Sequence, residues 1–252
     1  MNRFYLPRTS IEGDIVRFSE EQRKQIHNVL RMRTGDAVVV FDGSDVEHTV
    51  ELVSTEGECT GRITGSRILD TEPAVHLTLI QSLPKGEKTE WIIQKGTEVG
   101  VSRFIFMTTL RSVPSISADK LPGRLSRWRN IAKEAAEQSG RACVPEVDGI
   151  LTFKHALEIA RKSGIGIIAW EEEKSETLHG VMPRLAASGD VSLLIGPEGG
   201  FTPDEVGKVK DAGITPVSLG KRILRTETAA VVGAALVIYG VEGDVRLRRS
   251  GS

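Results

Sequence analysis

Val191-Ser192-Leu193-Leu194-Ile195-Gly196-Pro197-Glu198-Gly199-Gly200-Phe201-Thr202-Pro203-Asp204-Glu205 (VSLLIGPEGGFTPDE, 191–205) decides the fold. Val191–Ile195 is an apolar run of strand length, glycines follow it, and a helical pattern begins at Pro203. A strand that feeds a loop and then a helix is one step of an α/β domain. The same grammar extends in both directions. Strands are predicted at Val75–Ile80, Arg103–Met107, Ile165–Trp170 and Thr215–Leu219. Helices are predicted at Glu87–Val99 (ended by Gly100), Leu125–Ser139 (stopped by Gly140), Phe153–Lys162, Pro203–Ala212 and Thr226–Tyr239. Strands alternating with helices predict a largely parallel sheet.

Before Asp70-Thr71-Glu72-Pro73, which reads as a linker, the pattern differs. Asp36–Phe41, Val46–Val53 and Glu58–Ile63 are short strand candidates separated by Gly and Asp turns, which suggests a small barrel. One helix is predicted there, about Ser19–Met32, with a Ser19/Gln22 capping box and Ile26, Val29 and Leu30 on one face.

Composition narrows the function classes. The 252 residues are 39% hydrophobic and 27% charged, with a formal net charge of −1, which suits a globular protein and gives no global signature of a polyanionic partner. Any nucleic-acid surface must therefore be local. Cys59 and Cys143 form no CxxC pair, and two reduced thiols are expected. Neither a signal peptide nor a run of about 18 apolar residues is visible, so a cytoplasmic location and no membrane partner are expected. The five histidines show no metal-ligand spacing, so no metal is expected. No GxSxG nucleophile elbow is present.

In α/β sheets, ligands sit beyond the carboxyl ends of strands. Three such ends stand out: Ala169-Trp170-Glu171, the glycine loop 196–202, and Leu219–Ala229 (LGKRILRTETA). The glycine loop lacks the Lys and hydroxyl of a phosphate loop. Gly164–Ala169 matches GxGxxA, but its glycines enter a strand instead of leaving one, which argues against a Rossmann site. A structural turn without ligand is the alternative for the glycine loop. In the third loop, Lys221, Arg222 and Arg225 crowd against a helix that Thr226 is expected to cap and whose dipole Glu227 complements. That helix (TETAAVVGAALVIYG) is apolar on nearly every side, so it is expected to pack in the core or against another subunit. Two basic bands complete the inventory. One is Arg23, Lys24, His27, Arg31 and Arg33; the other is Arg111, Lys120, Arg124, Arg127, Arg129, Lys133 and Arg141. Each alone reads equally well as a solvated face; beside ligand loops they suggest a nucleic acid.

IGPEGGFT (195–202) with SLGKRILRTETA (218–229), KGTEVGV (95–101), RWRNIAKEAAEQSGRACVPEV (127–147) and HNVLRMRTGDAVVVFDG (27–43) resembles the bacterial 16S ribosomal RNA uridine-N3 methyltransferases, the RsmE type of the SPOUT superfamily. The resemblance spans nearly the whole chain; the closing RLRRSGS (246–252) adds nothing to it. It implies a PUA-like β-barrel over 1–70 that binds RNA and a SPOUT α/β domain with a deep trefoil knot over 74–245. It also implies a homodimer, S-adenosylmethionine as cofactor, and 16S rRNA, within the small ribosomal subunit, as partner.

On that resemblance the cofactor residues are Ala169, Trp170, Glu171, Ile195, Gly196, Pro197, Glu198, Gly199, Gly200, Ser218, Leu219, Gly220, Arg222, Ile223 and Leu224. Arg225 is the expected catalytic cation, stabilising the uridine anion, while Glu198 and Glu227 are candidates for proton handling or cofactor contact. Arg3, Arg8, His27, Arg31, Arg33, Arg129 and Arg141 are the expected RNA contacts. Two other readings share these features: a SPOUT enzyme methylating another rRNA or tRNA position, and a noncatalytic RNA-binding assembly factor.

Overall fold

The computed structural model describes residues 1–112 and 116–250, so the last two residues of the RLRRSGS segment lie outside it. The chain forms two compact units: Met1–Glu72 together with Ala136–Val144, and Pro73–Ala135 together with the chain from Pro145 onward.

The first unit holds β1 (Arg3–Tyr5), β2 (Ile11–Glu12), β3 (Ile15–Arg17), α1 (Glu20–Lys24), β4 (Ala37–Phe41), β5 (Val46–Ser54) and β6 (Thr60–Ile68). They form one sheet in the order β1-β4-β5-β6-β3-β2, with β1 parallel to β4 and the other neighbours antiparallel. In a flat sheet four strand spacings would put β1 and β3 about 19 Å apart. Yet Phe4 on β1 and Phe18 just after β3 meet edge to face with ring centroids 5.9 Å apart. The sheet is therefore curled around a core of Phe4, Leu6, Val16, Val38, Val50 and Leu52. Alternating side chains on β4 and β5 supply that core.

The Ser19/Gln22 capping box forms as expected, but the helix is shorter than its apolar pattern predicts. A π turn replaces it over Gln25–Val29, where Leu30 N donates to Gln25 O. The extra residue per turn shifts the face, so Ile26 is buried while Val29 is exposed. Arg31 then takes φ +54°, which ends the segment.

The second unit is built from β7 (His76–Ser82), α2 (Lys88–Val99), β8 (Arg103–Thr108), α3 (Leu121–Ser139, whose residues from Ala136 on belong to the first unit), β9 (Glu146–Thr152), α4 (Phe153–Lys162), β10 (Ile165–Ala169), α5 (Leu178–Ser188), β11 (Asp190–Ile195), α6 (Pro203–Asp211), β12 (Thr215–Val217) and α7 (Thr226–Ser250). Its sheet runs β12-β10-β11-β7-β8-β9 and is parallel throughout, as the alternation predicts. One face carries α4 and α6 over Ile80, Ile105, Met107, Ile168 and Leu194. On the other face α7 packs against α2, α5, β7 and β11.

Small residues let α7 approach closely: a Cβ at Gly240 would lie 2.5 Å from Met182 Sδ. Ala230, Ala234, Val237 and Val241 are buried along this helix, whereas Val232, Leu236 and Tyr239 form an exposed stripe. The chain builds β7, β8 and β9 in one direction and then crosses back to β10 and β11. The order thus reverses between β7 and β11, and a ligand crevice belongs at the carboxyl ends there.

Candidate active site

The three expected loops converge beyond the carboxyl ends of β10, β11 and β12. They line a cleft of about 410 Å³, inside the range of about 300–1,000 Å³ typical of small-molecule sites. All of the expected cofactor residues line it except Gly199. Gly199 faces another way: its carbonyl accepts from Arg111 Nη1 at 2.8 Å. Lys88, Phe201, Thr226 and Ala229 line the cleft as well.

Each wall has a local cause. Gly200 turns the glycine loop with φ +68°, and a Cβ there would lie 2.1 Å from Glu171 Oε1, so only glycine lets the Glu171 carboxylate rest on the loop. The loop ends in a second capping box, Thr202 with Glu205, which starts α6. Glu205 is buried, and its carboxylate also accepts from Leu110 N at 2.9 Å, which ties the loop to the turn after β8.

The start of α7 departs from the sequence reading. Thr226 is the first helical residue, and its hydroxyl reaches across the site instead of capping its own helix. Thr226 Oγ1 donates to Gly196 O at 2.6 Å and accepts from Gln81 Nε2 at 3.0 Å. Gln81 is fully buried at the end of β7 and also donates to Ser82 O at 2.7 Å. This network joins the glycine loop, α7 and β7 beneath the cleft.

A charged network lies above it. Lys88 Nζ is 3.0 Å from Glu198 Oε1 and 3.1 Å from Glu227 Oε2. Glu198 Oε1 also accepts from Lys85 N at 3.0 Å. The hydrogen bond to Glu198 is the main cause that raises the Lys88 pKa above its ordinary value. Burial alone would raise the Glu198 carboxyl, but hydrogen bonds from Lys88 and from the backbone hold it below the usual carboxylate range. Arg225 lines the cleft, is exposed, and makes no ion pair among the described residues. Glu227 stands behind the lining, against Lys88.

Lys88 and Gln81 escaped the sequence reading because they act on loops more than 100 residues away. Lys88 did leave one trace. It is a cation in the first turn of a helix, where the macrodipole favours anions.

The expected RNA contacts divide in two. Arg8, His27, Arg31, Arg33 and Arg129 are exposed. Arg3 and Arg141 are corrected. Arg141 is only 4% exposed, and its Nη2 lies 2.6 Å from Glu72 Oε2. Arg3 Nη2 lies 3.1 Å from Glu47 Oε2 and 3.2 Å from Arg141 O, and its guanidinium stacks 4.6 Å from the Phe41 ring centroid. Both cations serve the interior of the first unit. Among the described residues no cluster of three or more His, Cys, Asp or Glu could hold a metal, and no helix is long and apolar enough to cross a membrane.

Comparison with known proteins agrees with this geometry. An RNA methyltransferase domain family matches residues 71–238, and an RNA methyltransferase PUA domain family matches residues 26–64. The ribosomal RNA small subunit methyltransferase E of Bacillus subtilis is 32% identical over 250 residues, covering 96% of this chain and 98% of its own length. The protein of the same name from Mycobacterium tuberculosis is 31% identical over 239 residues, covering 93% and 90%. A crystal structure of a ribosomal RNA small subunit methyltransferase E from Neisseria gonorrhoeae bound to S-adenosyl methionine superposes with a TM-score of 0.84 at 33% identity, over 93% of this chain and 95% of that one. In sequence and in fold, the chain belongs to the RNA methyltransferase family.

Proposed function

We propose that this protein transfers the methyl group of S-adenosylmethionine to N3 of a specific uridine in 16S ribosomal RNA, within the small ribosomal subunit. The observation that carries the reading is the convergence of the three expected loops into one cleft at the switch point of a parallel sheet. The residues fit the cofactor. Ile195, Leu219 and Leu224 offer apolar wall for an adenine, the Glu171 carboxylate suits hydroxyl donors, and the glycine loop admits close backbone contacts.

When bound, the cofactor supplies an electrophilic methyl on a sulfonium. The remaining work belongs to the chain. N3 of uridine carries a proton that must leave for the nitrogen to attack, and negative charge then builds on the ring. We assign Arg225, which lines the cleft, to stabilising that charge. Glu198, held ionised by Lys88 and by backbone N–H groups, makes a weak proton acceptor, so we assign it to holding the loop. Glu227 shares the same lysine and is assigned with it.

We extend the proposal to the domains, the dimer and the location. Residues 1–70 act as the RNA-binding barrel through Arg8, His27, Arg31 and Arg33, and 74–245 as the methyltransferase domain. The segment 218–225 returns from the edge strand β12 to the β11–β7 boundary before α7 descends on the opposite face from α6. That path supports a trefoil knot. The stripe Val232, Leu236 and Tyr239, with Trp91 on α2 also exposed, supports a homodimer. The protein acts in the cytoplasm on ribosomal substrate.

The test is methyl incorporation from labelled S-adenosylmethionine into small subunits from a strain lacking the corresponding enzyme, with the product nucleoside identified. 3-Methyluridine at a single site is expected. A different methylated nucleoside would redirect the assignment to another position, and cofactor binding without any methylation would favour an assembly role.

A further inference from the structure

We propose that Lys88 is a positioning residue for methyl transfer, clamping the glycine loop to the start of α7 by pairing at once with Glu198 and Glu227. The inference rests on the methyl-transfer reading and deepens it. Lys88 belongs to none of the three ligand loops, yet it lines their cleft. Its ammonium lies 3.0 Å from Glu198 Oε1 on the glycine loop and 3.1 Å from Glu227 Oε2 in the first turn of α7.

An ordinary surface ion pair does not account for this placement. Lys88 opens α2, where the helix dipole disfavours a cation, and Glu90 is the acid of the same turn. A lysine is stabilised at that position by the two carboxylates that reach it from 110 residues away and beyond. Its ammonium donates a hydrogen bond to Glu198 Oε1 and adds an ion pair with Glu227 Oε2, a buried carboxylate oxygen that has no hydrogen-bond donor of its own among the described residues.

The consequence is mechanical and electrostatic together. Glu198 sits between Pro197, which lines the cleft, and Gly199. Glu227 sits two residues beyond Arg225. Lys88 therefore fixes the distance between the glycine loop and the turn that presents Arg225. It does so from above, while the buried Gln81–Thr226–Gly196 network does so from below. Releasing the upper tie leaves the Glu198 and Glu227 carboxylates without the cation they share. The glycine loop then moves away from α7, which degrades both cofactor binding and the placement of Arg225.

The experiment uses the full chain with S-adenosylmethionine calorimetry and turnover on small subunits, for wild type, K88M, K88R, E198Q/E227Q and K88M/E198Q/E227Q, each first checked by circular dichroism. K88M is expected to weaken cofactor binding about tenfold and to lower turnover at saturating cofactor. K88R, whose guanidinium can bridge two carboxylates, is expected to stay within about threefold of wild type. Adding K88M to E198Q/E227Q is expected to cause no further loss, because Lys88 acts through those carboxylates.

A folded K88M within twofold of wild type, or one whose full loss persists in the E198Q/E227Q background, would overturn the proposal while leaving the methyl-transfer reading intact. A wild-type chain that binds no cofactor would overturn that reading and this inference with it.

Discussion

Replacing Thr226 by valine tests the buried half of the site most directly. Valine keeps the branched shape and removes only the hydroxyl. Two hydrogen bonds disappear: Thr226 Oγ1 to Gly196 O at 2.6 Å, and Gln81 Nε2 to Thr226 Oγ1 at 3.0 Å. The Gln81 amide keeps Ser82 O at 2.7 Å, and Gly196 O keeps only the weaker 3.3 Å contact from Gln81, so neither group is left wholly unpaired. At about 1 kcal/mol net per bond, T226V should destabilise the protein by about 2 kcal/mol. For a chain of this size that corresponds to a fall in thermal midpoint of about 4–8 °C.

T226S keeps both hydrogen bonds and loses one buried methyl, about 0.8 kcal/mol, so its fall should be less than half as large. Scanning calorimetry of both variants, with and without S-adenosylmethionine, measures the two effects together. The cofactor's own stabilising increment should shrink in T226V, by about 1.4 kcal/mol for each tenfold loss of affinity. A T226V midpoint no lower than that of T226S would refute the network as the brace of the glycine loop.

Four further outcomes are expected. R225A should lower turnover far more than cofactor affinity, read by calorimetry beside single-turnover kinetics; equal losses in both would remove Arg225 from the reaction. E72A takes the carboxylate from the buried Arg141, whose Nη2 it meets at 2.6 Å, and should cost about 3–5 kcal/mol in urea unfolding; a cost below about 1 kcal/mol would show the pair to be dispensable.

The Glu173 carboxyl, lowered to about 2 first by the Ser175 hydroxyl and then by the backbone N–H groups of Ser175 and Glu176, should titrate near that value by carbon-detected NMR. Because the folded-state pKa is depressed, its contribution to stability is full above about pH 4.5 and is lost as pH falls toward 2; a titration above pH 4 would refute the turn. Finally, Y239E should convert the proposed homodimer to monomer in sedimentation, since it places a charge on the exposed stripe of α7; an unchanged dimer would put the interface elsewhere.

Much of this architecture was legible in the sequence because period and punctuation agree there. Val191–Ile195 is apolar and bounded by glycines, and α4 was legible to the residue because Phe153–Lys162 has strong 3.6-residue periodicity between Thr152 and Ser163. The omissions have physical reasons. β1 is three residues long, with only Phe4 buried, and takes its place through pairing with β4. In β9 the pattern is broken by Gly149 and a register shift opposite β8. α5 contains Gly180 and Pro183, which read as breakers, yet its Thr177 cap and the burial of Leu178, Val181 and Leu185 hold it.

The cleft was legible for a different reason: its loops are contiguous in sequence, so their residue types cluster. Lys88 and Gln81 were not, because their meaning comes from partners brought by the topology. Arg3 and Arg141 show the converse error. An arginine that closes an internal ion pair and one that faces solvent look alike until Glu47 and Glu72 are placed beside them.

The discontinuity of the first unit bears on how this gene can be cut. Residues 136–144 belong with 1–72: Arg141 meets Glu72, Glu137 accepts from Tyr5 N, and the Cys143 thiol donates to Gly43 O. A fragment ending at residue 72 would lack those partners and would expose the buried Glu47–Arg3 pair to competition from water. Grafting a barrel from a relative onto this chain therefore requires two simultaneous exchanges, the amino-terminal segment and a nine-residue insert more than sixty positions downstream. Evolution faces the same constraint, so substitutions in 136–144 should be inherited as companions of the amino terminus and not of the sheet that surrounds them in the sequence.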